Sequence, residues 1–158
     1  MKKYIFEALN ENIELLSQNK SAYSKGIIKT VNILFNATKK NNTIFWAGNG
    51  GSAADCQHMS AELVGRFEKE RPPINSISLT TDTSALTAIS NDYGYENVFS
   101  RQLKAIGKKN DVIIAISTSG NSKNLIRALQ VAKKLKIRSI ALLGNNGGKI
   151  KKFADYSI

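Results

Sequence analysis

A chain of 158 residues with 42% hydrophobic content suits one domain with one ordinary buried core. No apolar run approaches the roughly 18 to 20 residues that a membrane span needs, and the lone Cys56 excludes an intramolecular disulfide, so a soluble, cytoplasmic protein is expected. The net charge of +11 lies wholly in residues 101–158, which carry 13 basic and 2 acidic side chains against 10 and 10 in residues 1–100; those cations are mostly Lys scattered along helical stretches, which predicts a solvated face and no nucleic-acid partner.

In chain order, residues 1–40 read as helices. Ile5, Leu9, Ile13 and Leu16 recur at helical spacing, and a second apolar stripe runs through Ile27, Val31, Leu34 and Phe35. From Thr43 the pattern changes to short apolar runs alternating with helical segments, each run ending in a Gly/Ser/Thr/Asn cluster. This is the signature of strand-loop-helix units on a parallel sheet, an α/β three-layer sandwich of flavodoxin-like or Rossmann-like type. Strands are expected at Thr43–Ala47, Ser76–Leu79, Asp111–Ile116 and Ser139–Leu143. Helices are expected near Ala53–Val64, Ser84–Ile89, Asn97–Ile106 and Asn124–Leu135. Residues 1–158 form one domain, with helices over 1–40 and a strand-loop-helix core over 43–158.

Ligands of such sheets collect beyond the carboxyl ends of the strands, where loops meet helix N-termini. Gly48-Asn49-Gly50-Gly51-Ser52-Ala53 follows the first strand and formally matches the dinucleotide fingerprint G-x-G-x-x-A, so a nicotinamide enzyme is a competitor. That fingerprint also requires an acidic residue at the end of the next strand. Glu68 and Glu70 come before that strand and Asp82 too far after it, so a loop giving a sugar close backbone approach is preferred.

His58 and Glu62, four residues apart, share one face of the following helix. Such a pair can supply two metal ligands, or a carboxylate base with a polarising neighbour, or a plain surface ion pair. Its place on a helix leaving the Gly-rich loop is expected to set it at the strand ends, within reach of the other loops. Cys56 points off that face and is expected to be a packed thiol. Asn91-Asp92-Tyr93-Gly94-Tyr95 reads as a turn, and Gly144-Asn145-Asn146-Gly147-Gly148 likewise, the latter with no chemistry assigned.

Ser117-Thr118-Ser119-Gly120-Asn121-Ser122 joins the run Val112–Ile116 to a helix with the apolar face Leu125, Leu129, Ala132 and Leu135. Four hydroxyls and a Gly at a strand-to-helix turn can wrap a phosphate, assisted by the helix dipole. The alternative is an ordinary polar turn with Ser122 as N-cap.

Together these segments, with Ser90-Asn91-Asp92-Tyr93-Gly94, resemble the sedoheptulose-7-phosphate (phosphoheptose) isomerases of the sugar-isomerase (SIS) domain class, over essentially the whole chain and most densely from Ala47 to Ser122. The resemblance implies that Ser117, Thr118, Ser119 and Ser122 hold a substrate phosphate and that Asn49, Gly50, Gly51, Ser52, Asn91 and Asp92 contact the sugar. It implies that His58 and Glu62 bind Zn2+, with Glu62 also the catalytic base. The implied reaction converts sedoheptulose 7-phosphate to glycero-manno-heptose 7-phosphate, which enters nucleotide-activated heptoses for lipopolysaccharide or capsule. A homotetramer with active sites shared between subunits is implied as well. The family continues into a helix carrying a Gln and a His that complete the metal set. Nothing here matches them, and the chain is expected to stop before that helix with a partial zinc site. The rival expectation is a non-catalytic SIS domain that binds a phosphosugar or another protein.

Overall fold

In the computed structural model, which describes residues 1–158, side chains alternating along the strands divide the interior into two cores. The strands are β1 (Ile44–Gly48), β2 (Ser76–Ser78), β3 (Val112–Ser117), β4 (Arg138–Leu143) and β5 (Tyr156–Ser157). Phe45, Ala47, Ile113, Ala115 and Ala141 face one core, while Ile44, Trp46, Val112, Ile114 and Ile140 face the other. Successive residues of a strand point to opposite faces, and a sheet buried on both faces reads as a continuous apolar run.

Helices complete the outer layers. On one side, α1 (Lys2–Thr38) contributes Ile33, Leu34 and Ala37, and α2 (Gly51–Val64) contributes Cys56 and Leu63. On the other, α3 (Thr83–Tyr93), α4 (Val98–Ile106) and α5 (Lys123–Leu135) supply the larger core, including Val98, Phe99, Leu103, Leu125, Ala128 and Leu129. This is the expected three-layer α/β sandwich. Truncating the fully buried Phe99 to Ala costs about 3–5 kcal/mol, since the transfer and cavity terms add.

All strand pairs are parallel, in the order β2-β1-β3-β4-β5. The chain leaves β1 for β2 on one side and returns to β3 on the other. The order reverses between β1 and β3, and the loops after these two strands diverge to opposite faces, leaving a crevice at their carboxyl ends.

Several boundaries differ from expectation for identifiable reasons. The N-terminal segment is a single helix of 37 residues, because no Pro or turn cluster interrupts it. Its interior Gly26 is buried where the helix passes Tyr156 and Ile158. Helix α2 begins at Gly51, which makes Gly51 and Ser52 its first residues. Asn91, Asp92 and Tyr93 form the last turn of α3, not a turn of their own; the helix stops only at Gly94, whose φ is 83°. A 3₁₀ turn over Tyr95–Asn97 leads into α4.

Candidate functional site at the strand switch point

The crevice between β1 and β3 is bounded by the loop around Asn49 and by Ser117–Ser122. The first loop is tight. Gly48 lies against the Ser52 carbonyl, which an added Cβ would approach to 2.6 Å. Gly50 has φ 56° and ψ −123° as N-cap of α2, and nothing lies within 4 Å of the Cβ positions of Gly50 and Gly51, so a ligand has open access to the backbone there.

The hydroxyl loop is braced from behind. Ser117 Oγ accepts from the Gly120 amide at 3.1 Å, and Ser119 Oγ accepts from the Asn121 amide at 3.2 Å. Gly120 O accepts from Ile150 N at 2.8 Å, and Asn121 Oδ1 from Lys149 N at 3.1 Å. Residues 144–150, to which the sequence assigned no chemistry, are thus the support of this loop.

What the loop leaves unused defines its chemistry. Ser122 is the N-cap of α5 by position, yet its side chain caps nothing and makes only a long 3.5 Å contact with Ser117 Oγ. The Leu125 amide is satisfied instead by Asn124 in the first turn of α5, whose Oδ1 accepts from it at 2.9 Å. The backbone amides of Thr118, Ser119 and Ser122 donate to no protein acceptor. Free hydroxyls and free amides at the positive end of a 13-residue helix are the donors that an anion requires.

Asn124, which the sequence marks only as a helix start, is a residue of this crevice that sequence reasoning misses. It is buried and exchanges two hydrogen bonds with Asn49, which also accepts from the Tyr95 hydroxyl at 2.9 Å. The two loops of the crevice are thereby joined. No local signal marks Asn124, because its partner is 75 residues away.

His58 and Glu62 are brought together, with Nε2 to Oε1 at 3.2 Å and side chains 73% and 31% exposed. Gln57, the residue before His58, donates to Thr80 Oγ1 at 3.1 Å just past the carboxyl end of β2, so His58 lies near the level of the strand ends, as expected. Glu62 lies 11 residues after Gly51, about 16 Å along the helix. Near Glu62, Ser60 Oγ meets Ser76 Oγ at 3.1 Å and Leu63 O accepts from Ile74 N, both at the start of β2. Glu62 therefore lies one turn further along α2 than His58, toward the start of β2, and is part exposed. Arg71 holds the end of α2 by donating to the carbonyls of Glu62 and Leu63 at 2.6 and 2.9 Å.

No group of three or more His, Cys, Asp or Glu side chains is positioned to hold a metal within the protomer. An imidazole nitrogen beside a carboxylate oxygen suits zinc as half of a set, since zinc takes about four ligands. Cys56 adds nothing: burial, and secondarily the charge of Asp55, push its thiol up to about 12. Asn91 and Asp92 bond each other at 2.9 Å on exposed helix. Asp82 is occupied as N-cap of α3, accepting from Ala85 N at 2.9 Å, which leaves the nicotinamide alternative without its ribose acceptor.

Residues 9–144 match the SIS domain family. A phosphoheptose isomerase of Sulfurimonas denitrificans is 52% identical over 163 residues, covering 100% of this chain and 82% of that protein. A phosphoheptose isomerase of Aquifex aeolicus is 52% identical over 135 residues, covering 85% and 71%. Among solved structures, the phosphoheptose isomerase of Neisseria gonorrhoeae superposes with a TM-score of 0.89 at 38% identity, covering 98% of this chain and 80% of that one. That of Francisella tularensis gives 0.90 at 26% with the same coverage.

Proposed function

The chain belongs to the phosphoheptose isomerase family of SIS domains, and from that premise we propose that it interconverts sedoheptulose 7-phosphate and D-glycero-D-manno-heptose 7-phosphate. The observation that carries this assignment is the unspent hydrogen-bonding capacity of Thr118, Ser119 and Ser122 at the head of α5, joined by Asn124 to a Gly-rich loop open to a sugar.

The isomerisation moves a carbonyl from C2 to C1 with no net change in atoms or electrons. A base takes a proton from C1 of the ketose while the C2 oxygen gains one, giving an enediol. Return of a proton to C2 and loss of one from the C1 hydroxyl completes the aldose. Ser117, Thr118, Ser119 and Ser122 are proposed to grip the remote phosphate, and Asn49, Gly50, Gly51, Ser52, Asn91 and Asp92 to align the chain. Glu62 is proposed as the proton-shuttling base. Zinc, held by His58 and Glu62 with further ligands from elsewhere, would polarise the carbonyl when bound.

The position of Glu62 favours a site shared between subunits of a homotetramer. The hydroxyl loop follows β3 while Glu62 lies toward the start of β2, and a carboxylate 31% exposed on α2 is available to serve a neighbour. The N-terminal helix supports assembly too. None of residues 2–25 is buried, and Ile5, Leu9, Ile13 and Leu16 are all at least half exposed. No helix is long and apolar enough to cross a membrane, and a cytoplasmic role in supplying heptose for surface polysaccharide is part of the proposal.

Incubation with sedoheptulose 7-phosphate, followed by NMR of the anomeric region, tests the assignment. Appearance of the aldose signal is the expected result, and an unchanged ketose at enzyme concentrations near that of substrate would reject it.

A further inference from the structure

Asn49 and Asn124 face each other where the strand order reverses. Asn49 Nδ2 donates to Asn124 Oδ1 at 3.1 Å, and Asn124 Nδ2 donates back to Asn49 Oδ1 at 2.8 Å. Two primary amides can close such a ring in either orientation, but the Leu125 amide settles it. That N–H can only donate, and at 2.9 Å from the Asn124 side chain it must meet the oxygen.

With Asn124 fixed, Asn49 must turn its nitrogen toward Asn124 Oδ1 and its oxygen toward Asn124 Nδ2. The Tyr95 hydroxyl then donates to the same Asn49 oxygen at 2.9 Å. An amide oxygen has two lone pairs and an amide nitrogen two hydrogens. Both lone pairs of Asn49 are occupied and one hydrogen is used. One N–H is all that the Asn49 side chain has left to offer.

We infer that Asn124 is a positioning residue, which holds Asn49 as a pure hydrogen-bond donor toward the sugar and sets the spacing between the Asn49 loop and the phosphate loop. Asn124 is 3% exposed and acts through Asn49, not on substrate directly. The group opposite Asn49 is then an oxygen acting as acceptor: a carbonyl, the oxygen that becomes negative as an enediolate develops, or a hydroxyl accepting. A donor preset on such an oxygen stabilises the transition state more than the ground state. This inference rests on the isomerase assignment and says which polarity its sugar contact must have.

Asn124→Leu, near in shape, removes both halves of the ring and frees the Asn49 amide to turn. The expected result is a fall in kcat of about tenfold or more, with KM for sedoheptulose 7-phosphate and the inhibition constant of inorganic phosphate each within about threefold of the parent. A kcat within threefold of the parent would overturn the inference. So would a loss of phosphate affinity parallel to the loss of kcat, which is the mark of a merely structural role. Should Asn124→Leu fail to fold, Tyr95→Phe decides: Tyr95 is 54% exposed, and removing its hydroxyl opens one lone pair of the Asn49 side-chain oxygen. A fall in kcat of about threefold or more at unchanged phosphate affinity is expected, and parental kcat would sink the proposal. A parent chain that never converts the ketose overturns the isomerase assignment, and the inference with it. Parental turnover that neither variant impairs overturns the inference alone.

Discussion

Ser76 Oγ donates to Ser60 Oγ at 3.1 Å while accepting from Trp46 Nε1 at 2.9 Å, and this buried contact fixes the lower part of α2 level with the first residue of β2. Glu62 is two residues after Ser60, bonds His58 one turn back, and makes no hydrogen bond to the loop that carries Ser119. If the base and phosphate loop of one active site come from different protomers, two inactive variants should rescue each other. Glu62→Gln and Ser119→Ala, each purified and then mixed and reassembled at equal amounts, should recover about a quarter of the parental rate by random pairing of subunits. Failure to exceed the sum of the separate variants, with subunit exchange verified by mass, would place both groups in one protomer.

Glu62→Gln keeps the shape of the side chain and removes its ability to take a proton. General-base removal costs roughly 10²–10⁴-fold in rate, so kcat should fall by at least about a hundredfold. Glu62 makes no hydrogen bond to the loop proposed to hold phosphate, so the inhibition constant of inorganic phosphate should stay within a few-fold of the parent. Steady-state kinetics with phosphate as competitor separate the two quantities.

Gly120→Ala tests the support of the hydroxyl loop. Gly120 has φ 64°, and a Cβ there would stand 2.3 Å from Gly147 O. The left-handed backbone costs about 1–2 kcal/mol and the overlap about as much again, so a loss near 2–4 kcal/mol is expected. Because the loop must move away from residues 147 and 148, phosphate affinity should fall with stability. Denaturant unfolding and phosphate titration of the same sample measure both; unchanged phosphate affinity would show that the brace does not shape the site.

The sequence made the sheet and both loops legible because each signal there is local. Alternating apolar runs mark strands, and a Gly or hydroxyl cluster at a strand end marks a loop. Asn91 and Asp92 were misjudged as a turn because their propensity is outweighed by the helix that continues to Gly94. Glu62 was correctly paired with His58 by spacing, but its place along the helix needed the register of α2 against β2, which no local pattern encodes. Asn124 was invisible for the same reason: its role depends on Asn49 and Tyr95, both remote in sequence.

Cys56 gives a pH dependence of stability with a definite sign. Its thiol is raised from 9.0 to about 12, chiefly by burial. The fold favours the neutral thiol, so this contribution is full below pH 9.0 and is lost as pH rises from there toward 12. Below pH 9.0 the thiol should be inert. A thiol-reactive disulfide reagent at pH 8 should label native protein only at the rate of unfolding, and guanidinium should make labelling immediate. Rapid labelling of native protein would contradict the buried thiol.

Helix α1 supplies the last test, because its first two-thirds have no partner in the protomer. Ile5, Leu9, Ile13 and Leu16 fall on one face at spacings of four, four and three, yet they are 50–62% exposed. A stripe of this kind is stable in water only when something covers it, and another copy of the same stripe is a self-complementary cover. Leu9→Glu with Ile13→Glu should therefore shift the species seen by light scattering from an assembly toward the 17.3 kDa protomer. Residues 26–158 carry both cores and both loops, so inorganic phosphate should still bind. Isomerase turnover should nonetheless collapse, since the proposed site draws Glu62 and the hydroxyl loop from different protomers. Full turnover by a stable monomer would refute the shared site, whatever the monomer's affinity for phosphate.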